Sequence, residues 1–182
     1  MPTFDTLFPT LLGSEWNQIA PSVQRMHGAG ASVLARGQAD VTGENHLPAR
    51  CLRRLLGLPA SGLGQPVEVR IERHGSRETW TRHFGNRRMH SVLDLDSELM
   101  QLSERLGPVN LRFELRRDGT AIDWKLHGAS VLGIPLPRAL LGSVLARSES
   151  RDNRYAFEID TQLPLLGQLV GYRGWLEIVD EH

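Results

Sequence analysis

The chain predicts an α+β fold: a strongly curved antiparallel β-sheet or closed β-barrel of about eight or nine strands, with two or three helices packed at one end or in the hollow. Segments of alternating polarity recur from residue 31 to residue 179 and are mostly joined by short turns. Helical spacing is confined to the first third and to one piece near residue 100, without the regular strand–helix alternation that a parallel sheet needs. The stretch 78–84 puts Glu78, Trp80, Arg82 and Phe84 on one strand face, and Thr79, Thr81 and His83 on the other. Two aromatics beside an acid and a base suit either the wall of a hollow or an exposed surface; the strand count favours the hollow.

Taken in order, Ser14 is a candidate N-cap for a helix ending near His27, kinked or broken at Pro21 and stopped by Gly28-Ala29-Gly30. His27 is placed there to meet the helix dipole or cap carbonyls. The glycine pair is no phosphate loop, because it follows a helix and Val33 stands where a third glycine is required. Residues 31–42 read as a strand with Val33, Ala35, Gly37, Ala39 and Val41 on one small-residue face, which lets something bulky pack close. A second helix over 47–58 sets Leu47, Cys51, Leu55 and Leu58 in register, with Arg50, Arg53 and Arg54 on a solvated face.

After the glycine-rich 59–66, Val67, Val69 and Ile71 alternate with charges and a turn at 74–76 leads into the 78–84 strand. Residues 89–93 form the next strand candidate, and Leu99, Leu102 and Leu106 suggest a short helix over 97–106. The most regular hairpin pairs 109–115 with 121–126 across an Asp118-Gly119 turn. Pro135 and Pro137 disfavour both a helix and a central strand in 131–141. Strands follow at 142–150, 155–161 and 168–179, with Asp152-Asn153 turning between the first two.

The totals fit a single domain over 1–182 with one core. The 21 basic and 21 acidic residues cancel, so no global field draws the chain to nucleic acid, although local patches stay open. Cys51 stands alone and cannot form an internal disulfide, and the opening residues lack the basic flank and apolar run of a signal. With no apolar run long enough to span a bilayer, the expected setting is cytoplasmic. The seven histidines include no metal-like spacing, and Gly142-Ser143-Val144-Leu145-Ala146 lacks the second glycine of a nucleophile elbow. No catalytic residue, metal or cofactor is therefore assigned.

ETWTRHFG (78–85), GPVNLRFEL (107–115), GIPLPRALL (133–141) and LPLLGQLVGYRGWL (163–176) resemble the DUF4166 family, as do RLLGLP (54–59) and LLGSEWNQIAPSVQRMH (11–27). The resemblance implies a bacterial domain of unknown function, found alone or C-terminal to a saccharopine-dehydrogenase-like domain. No activity comes with it. It draws attention to Trp80, Arg82, Phe84, Pro135, Pro137 and the run Tyr172-Arg173-Gly174-Trp175.

The expected function is a binding module for a small, partly apolar, lipid-like and possibly acidic ligand. Trp80, Phe84, Trp124 and Tyr172 are its expected walls, Arg82 or Arg173 its anchor, and Glu78 and Glu149 further site residues. One alternative is a small-molecule enzyme using Glu78 or Glu149 with Arg82, although a structural ion pair is the commoner fate of such charges. Another is an interaction module for a dehydrogenase-like partner.

Overall fold

The structure, a computed structural model, describes residues 6–28 and 30–182. Residues 1–5 of the opening stretch, and Ala29 of the expected helix stop, lie outside the described residues. Ten antiparallel strands close into a barrel, and a two-residue strand pairs outside the ring. The ring strands are β1 (Ser32–Thr42), β2 (Gly62–His74), β3 (Arg77–Phe84), β4 (Arg87–Asp96), β5 (Gln101–Leu106), β6 (Val109–Asp118), β7 (Ala121–Val131), β9 (Ser143–Arg151), β10 (Arg154–Leu163) and β11 (Gly167–Glu181); the outer strand β8 is Ile134–Pro135. The count exceeds the expected eight or nine because residues 101–106 join as β5 instead of forming a helix.

Each ring strand pairs with its neighbour in sequence, save that β9 follows β7 directly and β11 returns to β1. Strand alternation dictates the interior. Val67, Val69, Ile71 and Arg73 of β2, and Glu78, Trp80, Arg82 and Phe84 of β3, are all buried, while Thr79, Thr81 and His83 are only partly so. At the β1–β11 seam two glycines permit close backbone approach. A Cβ on Gly37 would collide with the carbonyl oxygen of Trp175, and one on Gly174 with that of Gln38.

The helices sit at the two ends. The expected helix over 14–27 is split into a 3-10 turn (Gly13–Gln18) and α2 (Pro21–His27), and a further helix, α1 (Leu7–Leu12), precedes it. Pro21 begins α2 instead of kinking a longer helix, because its missing N–H costs nothing in the first helical turn. Leu7, Phe8, Val23, Met26 and His27 are fully buried, so α1 and α2 plug one end. His27 is therefore a core residue and does not cap solvent-facing carbonyls.

At the other end lie α3 (Leu47–Leu55) and the single turn α4 (Arg138–Leu141). The inward face of α3 differs from the expected one: Ala49 and Arg53 are buried, whereas Leu47, Cys51 and Leu55 are exposed. Arg53 turns inward because its guanidinium satisfies the carbonyls of Glu44 and Leu169, at 2.8 and 2.9 Å. Asp152 and Asn153 both have positive φ, as the expected tight turn requires. The β6–β7 turn falls one residue later than expected, on Gly119-Thr120, since Asp118 pairs with Ala121.

Candidate functional site

Inside the barrel a cavity of about 370 Å³ runs from Met26 of the plug to Leu52 of α3 and Leu140 of α4. Its wall is mainly aliphatic and aromatic. The lining passes from side chains closed to solvent, such as Phe113, to Leu140, which is more than half exposed, so the chamber is reached from the end that carries α3 and α4. A space of this size is ordinary for a small-molecule site.

Five of the eight residues expected at the site line the chamber: Trp80, Arg82, Phe84, Trp124 and Tyr172. The Phe84 and Tyr172 rings meet edge to face, with centroids 5.2 Å apart. The other three do not line it. Glu78 points inward but below the chamber, where it pairs with Arg73 at 3.0 Å and accepts the Trp80 indole N–H at 2.8 Å. Burial raises its pKa above the usual carboxylate range, against the opposing pull of Arg73 and Trp80. Arg73 in turn donates to the carbonyl of Met26 at 2.6 Å and fastens the plug.

Glu149, expected as a further site residue, and Arg173, expected as an alternative anchor to Arg82, lie away from the chamber. Both lie on outer strand faces, where Glu149 is held by Arg147 and Arg151, and Arg173 is solvent-exposed. Alternation explains this placement: Ser148 and Tyr172 take the inward positions beside them. The pairing of Glu78 or Glu149 with Arg82 that an acid/base reaction would use is not assembled.

Arg82 instead spans to β4 and β5. Its guanidinium donates to Ser91 Oγ at 2.8 Å and to Glu104 at 3.2 Å, and Ser91 donates to the same carboxylate oxygen at 2.7 Å. It also lies 4.6 Å from the centre of the Trp80 ring. The charge of Arg82 is thus already neutralised within the wall.

A second polar group surrounds Tyr155, whose hydroxyl meets Ser148 Oγ at 3.0 Å and His27 Nε2 at 3.2 Å. Burial lifts the Tyr155 and Tyr172 hydroxyls from 10.0 to about 12. The same desolvation, reinforced by Arg73 and Arg82, holds His27 well below its ordinary value, so the ring is neutral at pH 7. His27 stacks on Trp80 and lies 4.0 Å from Phe8, centre to centre. Trp124 also borders the chamber, and its buried indole N–H has no hydrogen-bond partner among the described residues.

Arg73, Ser91, Glu104, Ser148 and Tyr155 belong to this arrangement yet were not singled out in the sequence, and His27 was expected only at a helix end. Arg73 continues the inward parity of Val67, Val69 and Ile71, and that signal was legible. Glu104 was hidden by the helix expected at 97–106; as a strand, the same residues alternate Leu102, Glu104, Leu106 on one face.

Among the described residues, no helix is long and apolar enough to cross a membrane, and no group of three or more His, Cys, Asp or Glu could hold a metal ion. The molecule is a closed antiparallel β-barrel with a largely apolar internal chamber. It belongs to the DUF4166 family: the family model, described as a domain of unknown function, matches residues 19–176. The match takes in α2 and the ring through most of β11, and leaves α1 outside. No curated protein matches the chain.

Proposed function

We propose that the domain binds a small, lipid-like molecule in the barrel chamber. The observation that carries this reading is the apolar cavity of about 370 Å³, walled by Trp80, Phe84, Trp124 and Tyr172 and reached past the leucines of α3 and α4. An apolar wall offers affinity, and the few polar groups at its floor offer orientation. Ligand charge follows from Arg82. A carboxylate would have to share that guanidinium with Glu104, leaving excess negative charge in a poorly hydrated space, whereas a hydroxyl or carbonyl oxygen adds no charge and leaves the pair undisturbed. A neutral polar end therefore suits the chamber better than an acid.

Titration with the neutral fluorophore N-phenyl-1-naphthylamine tests this reading. Saturable binding is expected, with 1-dodecanol displacing the probe more effectively than dodecanoic acid. Ala146 is buried against the cavity beside Trp124 on the neighbouring strand. Ala146→Phe should fill the space and weaken binding by about tenfold or more. Absence of saturable binding, or equal binding by a folded Ala146→Phe variant, would refute the proposal.

A further inference from the structure

We infer that the open end of the barrel docks on an anionic lipid surface. The inference rests on the ligand reading only for its purpose, the exchange of an apolar molecule between chamber and bilayer; the docking surface stands on its own observations. Large exposed apolar side chains gather at this end. Leu55 projects from α3, Leu63 from the start of β2, Ile134 from β8 and Leu140 from α4, while Leu132 and Leu165 occupy the β7–β8 and β10–β11 turns. Leu165 is 100% exposed and Leu132 80%. Solvated leucines encircling an apolar mouth form the kind of patch that marks an interaction surface.

The backbone supplies an independent sign. Leu132 and Leu165 hold φ of 51° and 66°, a region in which asparagine or glycine is cheaper than leucine. Leucine there strains the turn and gains no burial in return. Met100, with φ of 50°, is similarly placed at the opposite end, but it sits beside Glu98 on a turn without a basic residue.

Charge selects a lipid surface from among possible partners. The connections at the mouth, residues 43–61, 85–86, 107–108, 132–133, 136–142 and 164–166, contain Arg50, Arg53, Arg54 and Arg138 against the single acid Glu44, and Arg87 and Arg88 open β4 at the same end. Arg53 is consumed by carbonyls, and the other five form no ion pair among the described residues. Connections at the far end, residues 75–76, 97–100, 119–120 and 152–153, hold Glu98 and Asp152 and no Lys or Arg. Arginines near that end are engaged, as in Arg77–Asp94 and Arg151–Glu149. The zero net charge thus conceals a polar axis. Leucines enter the boundary between headgroups and acyl chains while unpaired arginines meet phosphates, as in peripheral membrane proteins that lie on a bilayer without spanning it.

Sedimentation with sucrose-loaded vesicles tests the docking. The full chain should bind vesicles of phosphatidylcholine and phosphatidylglycerol in a 7:3 ratio, and bind pure phosphatidylcholine at least about tenfold more weakly. The double variant Leu132→Asn, Leu165→Asn should lose about tenfold or more in vesicle affinity while its melting temperature holds or rises, because asparagine relieves the turns. Leu99→Ser at the far end should bind as the parent does.

Failure of the parent to bind anionic vesicles, retention of binding by the double variant, or equal loss in Leu99→Ser would overturn the inference. So would a dimer, seen by sedimentation velocity, that the double variant abolishes while vesicle binding is absent. The fluorophore titration reads the chamber and vesicle sedimentation reads the rim, so failure of one is told apart from failure of the other.

Discussion

The two ends of this barrel solve opposite problems with the same strand pattern. At the plugged end the inward positions carry Arg73 and Glu78, and both charges are spent on structure: one guanidinium links β2 to β3 and to the carbonyl closing α2. At the open end the inward positions are apolar and the space between them is unfilled, while the rim carries leucines with nothing upon them. Polar groups buried and fully used make a rigid floor; apolar groups buried but underpacked make a receptacle. Burial alone does not identify a site, since the most deeply buried ion pair lies outside the chamber.

Substitution at the plugged end should have the largest effect. Glu78→Ala leaves Arg73 charged and unpaired in the interior and should cost about 3–5 kcal/mol in urea unfolding. Arg73→Met combined with Glu78→Leu should cost clearly less than the sum of the single changes; additivity would show that the two do not act as a pair.

Alkali probes the wall between the ends. Both Tyr155 and Tyr172 stay protonated in the fold to about 12, whereas the unfolded chain ionises them near 10.0. In that interval the native state binds more protons, so stability falls as pH rises, by about 3 kcal/mol for each tyrosine once pH 12 is reached. Tyr172→Phe should remove its share of the slope between pH 10 and 12. On the acid side the signs oppose. His27, whose pKa is lowered, withdraws stability as pH falls below 6.5, while Glu78, whose pKa is raised above 4.5, adds stability over the window where only the native state holds its proton. Acid dependence near neutrality should therefore be shallower than the alkaline limb.

A smaller loss is expected at the seam, where Gly37→Ala forces the β1 and β11 backbones apart and should cost about 1–3 kcal/mol by thermal or chemical unfolding. Smallest of all is Leu55→Ser on the rim, expected to change stability by less than about 0.5 kcal/mol. A large loss there would show that the rim serves the fold and would erase the contrast between the ends.

Much of this architecture was legible because strand parity is a local property. The interior face of β3 and the small-residue face of β1 followed directly from alternation, as did the absence of a parallel sheet. Pairing partners were not legible. Glu78 and Arg82 share a face in β3, yet each is claimed by a residue on another strand, Arg73 and Glu104, and cross-strand register is set by the whole ring. Parity also places Glu149 and Arg173 on the outside, opposite the buried Ser148 and Tyr172, against their expected place at the site. In α3, Leu47 and Leu55 face outward beside Arg50 and Arg54, so a pattern rule that assumes leucines point inward fails at a rim.

The order of strands has a kinetic consequence. Seven of the ten ring pairings are short-turn hairpins, which can zip early and at little entropic cost; β1–β2 and β7–β9 close over longer connections, and β1 meets β11 only after the chain has come full circle. Ring closure is then the natural late barrier of folding. The two glycines at the seam, Gly37 and Gly174, stand where that last ladder must register, at positions outside the lining of the chamber.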